Sequence, residues 1–186
     1  SGEYAARRAE CEAAALLLGV SALGSVTDDD ATDRIGDPLL RRRARHVITD
    51  SARARAVAAA LEAAAAEDQA VADSVIGKSE IFAFIGKLLV EGHASLRDDF
   101  EVSWPEADIA VETAIAAGAY GAKMIGGGFG GSVLALVPEA SAAAVREAVT
   151  DTFAARGWTP PDFLDAVPSP AAHRLRWDVF SARRRP

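Results

Sequence analysis

One cysteine, Cys11, stands in 186 residues, so no disulfide can close within this chain. A lone thiol points to a reducing compartment, and a cytoplasmic location is the expectation. Positive charge is also in short supply. Lys and Arg number 20 against 27 Asp and Glu, for a net charge of −7. That balance argues against a nucleic-acid partner, because phosphate binding needs a basic surface. The one basic run, Arg41, Arg42, Arg43 and Arg45, sits in a helical pattern and reads as a solvated helix face. No apolar run approaches the roughly 18 residues of a membrane span. No signal peptide is evident. The histidines His46, His93 and His173 show no ligand spacing, so no metal site is expected in the chain. Nor does the sequence begin with Met; it opens directly in a helical pattern and reads as a piece of a longer protein.

What is there suits a folded domain. Half the residues are apolar and a quarter are charged. The first two thirds read as helix. An Ala-rich stretch from Ser1 to Leu18 meets a stop at Gly19. "SVTDDDATDRIGD" reads as an acidic loop. Asp37 before Pro38 predicts an N-cap with proline in the first turn. Leu40, Ala44, Val47, Ala54, Ala58 and Leu61 then mark one face of a long helix. Ile81, Phe82, Ile85, Leu88 and Leu89 mark a third, which Gly92 would close. His46 reads as a packing histidine. His93 and Ser95 read as braces at a helix end, and the adjacent Asp98 and Asp99 as structural. Ser103 with Glu106 predicts a capping box for a helix ending at Gly118.

The texture changes after Gly118. "AYGAKMI" and "SVLALVP" read as two short strands around a glycine loop. Ser141 can cap a helix carrying Val145, Val149 and Phe153 and ending at Gly157. "DFLDAV" and "RLRWDVF" read as further strands. Helices followed by a strand–loop–strand–helix unit predict an α+β fold.

The loop from Gly126 to Gly131 holds five glycines and Phe129. It satisfies G-x-G-x-x-G, but a second apolar strand follows where a dinucleotide-binding loop would begin a helix. It lacks the Gly-Lys-Ser/Thr of a Walker A loop. It also lacks the V-A-I-K, H-R-D and D-F-G partners of a protein-kinase glycine loop. What survives is physical: bare backbone can approach a ligand closely, and successive N–H groups can cradle an anion. A tight hairpin packing on another backbone remains open from these residues alone. Lys123 could serve a phosphate or simply be exposed.

The loop has company. "GAKMIGGGFGG" resembles the third signature motif of galactokinases, which are GHMP small-molecule kinases. "GHASLRDDFEVSWPEAD" (92–108), "RRRARHVITD" (41–50) and "SGEYAARRAECE" (1–12) resemble blocks that precede it there, in the same order. The region 138–186 matches only loosely, in "DFLDAVPSPAA". The resemblance implies a GHMP-kinase C-terminal domain over residues 1–186, with helices packed on one side of a small, mostly antiparallel, ferredoxin-like sheet. The N-terminal domain would lie outside this chain.

By the same resemblance, Tyr4 contacts the sugar and Gly126, Gly127, Gly128, Phe129, Gly130 and Gly131 brace the nucleotide-phosphate site. The implied reaction moves the γ-phosphoryl group of Mg·ATP to the anomeric hydroxyl of α-D-galactose. The N-terminal half would bring the catalytic base, the serine-rich phosphate loop and most of the hold on ATP and Mg2+. No "LSSS"-like loop or "GEH" motif stands in this sequence, so no catalytic residue is expected here and the chain alone should be inactive. Ile125 stands where the family usually has threonine, and Gly92 where it usually has serine. A non-catalytic sugar and ATP sensor, or a kinase for another sugar, remain as alternatives. The implied partners are galactose, ATP and the N-terminal half, with self-association through an exposed inter-domain face.

Overall fold

The structure, a computed structural model, describes residues 2–28, 30–67 and 75–166. Helix α1 spans Gly2–Leu18. Gly19, at φ 69°, ends it: the Gly19 N–H bonds Leu16 O and the Val20 N–H bonds Ala15 O. This glycine closure satisfies the carbonyls that a helix end leaves bare. Gly118 and Gly157 end two later helices in the same way.

Helix α2 spans Pro38–Glu67. Asp37 caps it, its Oδ1 accepting the N–H groups of Leu39 and Leu40 at 2.7 and 3.1 Å. The acidic segment before it is more than a loop. It contains a 3-10 turn at Ala31–Arg34, just after another at Leu23–Ser25. These turns point Val26, Ala31 and Ile35 inward, where they join Leu23, Ala14, Ala15, Ala44 and Ile48 in one core cluster. Cys11 packs at its edge, and burial pushes its thiol pKa up. The predicted apolar face of α2 holds for Leu40, Ala44 and Val47. Ala54, Ala58 and Leu61 are exposed instead. At 30 residues α2 is far longer than the 17-residue α1, and it outruns that partner.

Helix α3 spans Val75–Asp98 and runs straight through Gly92, where the sequence suggested a stop. The glycine serves a close approach rather than a break. A Cβ there would lie 3.0 Å from Lys123 Nζ and 3.1 Å from Asp50 Oδ1. Helix α4 spans Pro105–Ala116, with Trp104 as its N-cap and no side-chain cap. The expected capping box does not form, because the Ser103 hydroxyl donates to Asp108 Oδ1 at 2.5 Å.

Strands β1 (Gly121–Ile125) and β2 (Ser132–Leu136) form an antiparallel hairpin, with Gly121 opposite Leu136 and Ile125 opposite Ser132. Alternate residues Ala122, Met124, Val133 and Ala135 pack with α4 and with α5 (Ala142–Ala155). The period of a strand puts these four on one face. Val145, Val149 and Phe153 are buried along α5, as the sequence predicted, and the Phe153 ring meets Trp158 edge-on at 5.4 Å. Ser141 makes no capping bond; it lies in a 3-10 turn, Glu139–Ser141. Residues 162–166 form no strand, which corrects the reading of "DFLDAV". Val167 and "RLRWDVF" lie outside the described residues. The result is helix-rich, with a two-stranded sheet among the described residues. No described helix is long and apolar enough to cross a membrane.

Candidate functional site

The glycine loop joins β1 to β2 and lies against the 99–104 connector between α3 and α4. Phe129 adopts φ 58°, and its N–H donates to Val102 O at 2.8 Å. Left-handed backbone at a non-glycine residue costs about 1–2 kcal/mol, so this bond and its neighbours must hold it. Gly128, at φ 82°, is required twice over. Its φ disfavours a side chain, and a Cβ there would fall 2.5 Å from Val102 Cβ. The loop therefore sits backbone to side chain on Val102, which is itself buried.

Among the described residues, Phe129 is the one position of 126–131 whose N–H finds a protein acceptor. No described residue accepts the N–H of any of the five glycines. Such a row of donors suits phosphate oxygens. Tyr4 stands beside them. A Cβ on Gly127 would touch the Tyr4 ring at 3.7 Å, and the ring is largely exposed. Phe129 is exposed on the same loop. Thus Tyr4 and the loop, more than 120 residues apart in the chain, meet at one place. They offer an aromatic surface, a phenol hydroxyl and a run of bare backbone amides.

The basic run of α2 ties together the segments around this meeting, and it corrects the reading of a solvated face. Arg43 is 1% exposed. Its Nε donates to Glu10 at 2.6 Å, its Nη1 to Asp99 O at 2.5 Å and its Nη2 to Glu101 at 2.6 Å. Arg42 reaches Glu101 at 2.9 Å, and Arg41 binds Ile35 O at 2.9 Å. Only Arg45, on Asp99, stays largely in solvent. A helix places its residues all round, so four arginines in five positions cannot share one side. The face toward α1 and the connector received Arg43. Arg7 works from α1, donating to Phe100 O at 2.7 Å and Glu101 O at 3.2 Å, and pairing with Glu10. Its guanidinium lies 5.9 Å from the centre of the Phe129 ring. Glu101 has φ 54°, and its hydrogen bond from Arg43 holds its carboxyl below the usual range.

Behind the hairpin lies a second polar group. Lys123 donates to both oxygens of Asp50, at 2.7 and 2.8 Å, and Arg53 joins at 3.2 Å. So paired, the Lys123 ammonium is engaged by Asp50 rather than simply exposed. His46 stacks on Phe100 with ring centres 4.4 Å apart. Its Nδ1 lies 3.0 Å from Ser95 Oγ, whose own proton goes to Asp99 Oδ2. The single hydroxyl proton being used, Nδ1 carries a hydrogen and donates it. Burial pushes the His46 pKa down to about 4, so the ring is neutral at pH 7. His93 is buried within α3, with Nδ1 accepting the Met124 N–H at 3.3 Å. Nε2 lies 3.2 Å from Asp108 Oδ1 but off the line of a good hydrogen bond. Burial lowers its pKa too. His93 thus braces β1 from within α3, and Ser95 braces α2 from the last turn of α3, where the Ser95 carbonyl accepts the closing N–H groups of Asp99 and Phe100. Asp99 is structural, as predicted. Among the described residues, no group of three or more His, Cys, Asp and Glu could hold a metal ion.

Tyr4 and the loop were identified in the sequence; Arg7, Arg43, Glu101 and Val102 were not. The three-residue spacing of Tyr4, Arg7 and Glu10 was a visible signal, since it runs along one side of a helix. Its partners at 99–102 left no such mark.

Comparison with known proteins bears on what this arrangement is for. Residues 82–155 match the family model described as "GHMP kinases C terminal". The chain is 49% identical over 178 residues to a galactokinase of Streptomyces coelicolor, covering 94% of this chain and 42% of that protein. It is 42% identical over 177 residues to a galactokinase of Mycobacterium tuberculosis, covering 94% of this chain and 44% of that one. The fold matches the crystal structure of Lactococcus lactis galactokinase complexed with galactose, with a TM-score of 0.70 and 31% identity. That match covers 85% of this chain and 39% of the other. The chain therefore spans less than half the length of these relatives.

Proposed function

This chain carries the C-terminal domain of the GHMP kinases, and from that premise we propose that it is the C-terminal part of an ATP-dependent galactokinase. The observation that carries this reading is the meeting of Tyr4 with the glycine loop. In the proposed complex the Tyr4 ring packs on the apolar face of galactose and its hydroxyl makes one hydrogen bond. The glycine N–H groups of 126–131 line the phosphate side. ATP, when bound, supplies the γ-phosphoryl group for the anomeric hydroxyl.

Phosphoryl transfer depends on positioning and on charge stabilisation. The residues described here suit positioning. Arg7, Arg43 and Lys123 are each engaged by protein oxygens, and no acidic cluster among the described residues suits Mg2+. The base, the cations and the metal site are therefore assigned to the remainder of the protein. On this reading the 186-residue chain alone turns nothing over, and full activity needs the N-terminal part.

The test is a coupled ADP-release assay on the full-length protein with galactose, ATP and Mg2+. Galactose-dependent ADP release supports the reading. Galactose binding without ADP release points instead to a sensor, and release only with another sugar points to a different substrate. Sugar-dependent ATP turnover by the isolated chain would overturn its assignment as a half-site. Replacing Tyr4 by Ala should raise the KM for galactose about tenfold, the scale of one lost sugar contact.

A further inference from the structure

We propose that Arg43 is a positioning residue, which sets the distance between Tyr4 and the glycine loop by clamping helix α1 to the 99–102 connector. The inference rests on the functional reading above, since it assigns Arg43 a part in the same site.

The geometry is specific. Each arm of the Arg43 guanidinium has its own partner, and every partner belongs to a segment that carries the site. Glu10 is on α1, whose first turns bear Tyr4. Asp99 O and Glu101 are on the connector. That connector in turn holds the loop, through the Phe129 N–H on Val102 O and the close seat of Gly128 on Val102. Arg7 closes the circuit from Glu10 to the carbonyls of Phe100 and Glu101. Three successive connector carbonyls, from Asp99 to Glu101, are thus held by two arginines.

A site used only for stability would need no such fork. Dry apolar packing would hold α1 to α2, and it already does so through Ala14, Ala15, Ala44 and Ile48. Directional bonds to three fixed acceptors instead set a distance. A lysine carries the same charge but cannot reach three separated acceptors in one plane. Arg43→Lys therefore separates geometry from charge.

In the full-length protein, Arg43→Lys should raise the galactose KM about tenfold while the ATP KM stays within about twofold, since a small misplacement weakens the contact it positions. In hydrogen exchange, the Phe129 amide should exchange about tenfold faster, while the Val149 and Phe153 amides of α5 hold their rates. An unchanged Phe129 amide would overturn the proposal. So would equal acceleration in α5, which is loosening of the whole domain, or a fall in kcat with both KM values unmoved. If Arg43→Lys does not fold, Glu101→Ala removes the acceptor of one arm at a half-exposed position. It should move the same readouts in the same direction, about threefold; no movement refutes the clamp. If the unaltered full-length protein does not phosphorylate galactose, the functional reading fails, and the exchange rates still decide whether Arg43 positions the loop.

Discussion

The two flanks of the hairpin are held by different physics. On the α4–α5 flank, Val111, Ala114, Ala122, Val145, Val149 and Phe153 form an apolar cluster. On the flank bearing the loop, two arginines and two glutamates, with a row of backbone carbonyls, tie α1, α2 and the connector together. Apolar burial is non-directional and scales with area, so it holds the domain together without setting any one distance well. Charge-assisted hydrogen bonds are short and directional, and they set distances at the cost of desolvating ions. The flank on which Tyr4 meets the loop is the one built from charge.

The contrast can be broken most forcefully from the apolar side. Phe153→Ala should lower unfolding stability by about 4 kcal/mol, the usual cost of emptying a buried phenylalanine site. Urea unfolding measures it, and a loss near zero would mean that α5 does not anchor this flank. Next comes Arg43→Met, which removes the buried cation between Glu10 and Glu101 and leaves them to Arg7 and Arg42. The expected loss is about 3 kcal/mol, the low end for a broken buried pair because both carboxylates keep some contact with water. A Met variant as stable as the parent would show that the clamp adds nothing to stability.

Within the loop the contrast sharpens to adjacent residues. Gly128→Ala adds a Cβ against Val102 at φ 82° and should cost about 2 kcal/mol. Gly127→Ala meets only ordinary contact with the Tyr4 ring and should cost less than about 0.5 kcal/mol. Equal losses at the two positions would mean the loop is not seated on the connector.

The last effect is absent at neutral pH. His46 is flanked by Asp50, Asp99, Lys123 and Arg53, and burial holds its pKa near 4 against 6.5 unfolded. Between these values the unfolded chain binds a proton that the folded chain does not. No penalty is present above pH 6.5, and stability falls progressively as pH drops from there toward about 4. His93, also depressed by burial, acts in the same direction. The urea midpoint should fall between pH 7 and pH 5, and His46→Gln should flatten that fall. An identical pH profile in the variant would remove His46 from this account.

Much of the fold was legible because its signals are local. Asp37 before Pro38, the stops at Gly19, Gly118 and Gly157, and the four-residue steps of α5 each concern groups within a turn of one another. The hairpin was legible for the same reason. The misreadings share an opposite cause. Arg43 looked like surface because its partners lie 33 and 58 residues away. Gly92 looked like a stop because the ion pair that passes over it comes from α2 and β1. The Ser103 cap failed because Asp108 competed for the hydroxyl. Ala54, Ala58 and Leu61 kept perfect periodicity beyond the end of their partner helix.

By itself, then, the sequence determined most of the helices, the hairpin and the glycine closures, while Tyr4 and the loop from 126 to 131 were singled out only by resemblance to a family; the local features need no such comparison. These follow from backbone preferences and from spacing along one chain segment. Only the tertiary structure decided that Tyr4 abuts Gly127, that Arg43 is interior, and that the connector carries the loop. Those facts depend on which distant carbonyls and carboxylates come within 3 Å of a guanidinium, and chain crossings of that kind leave no period in a sequence.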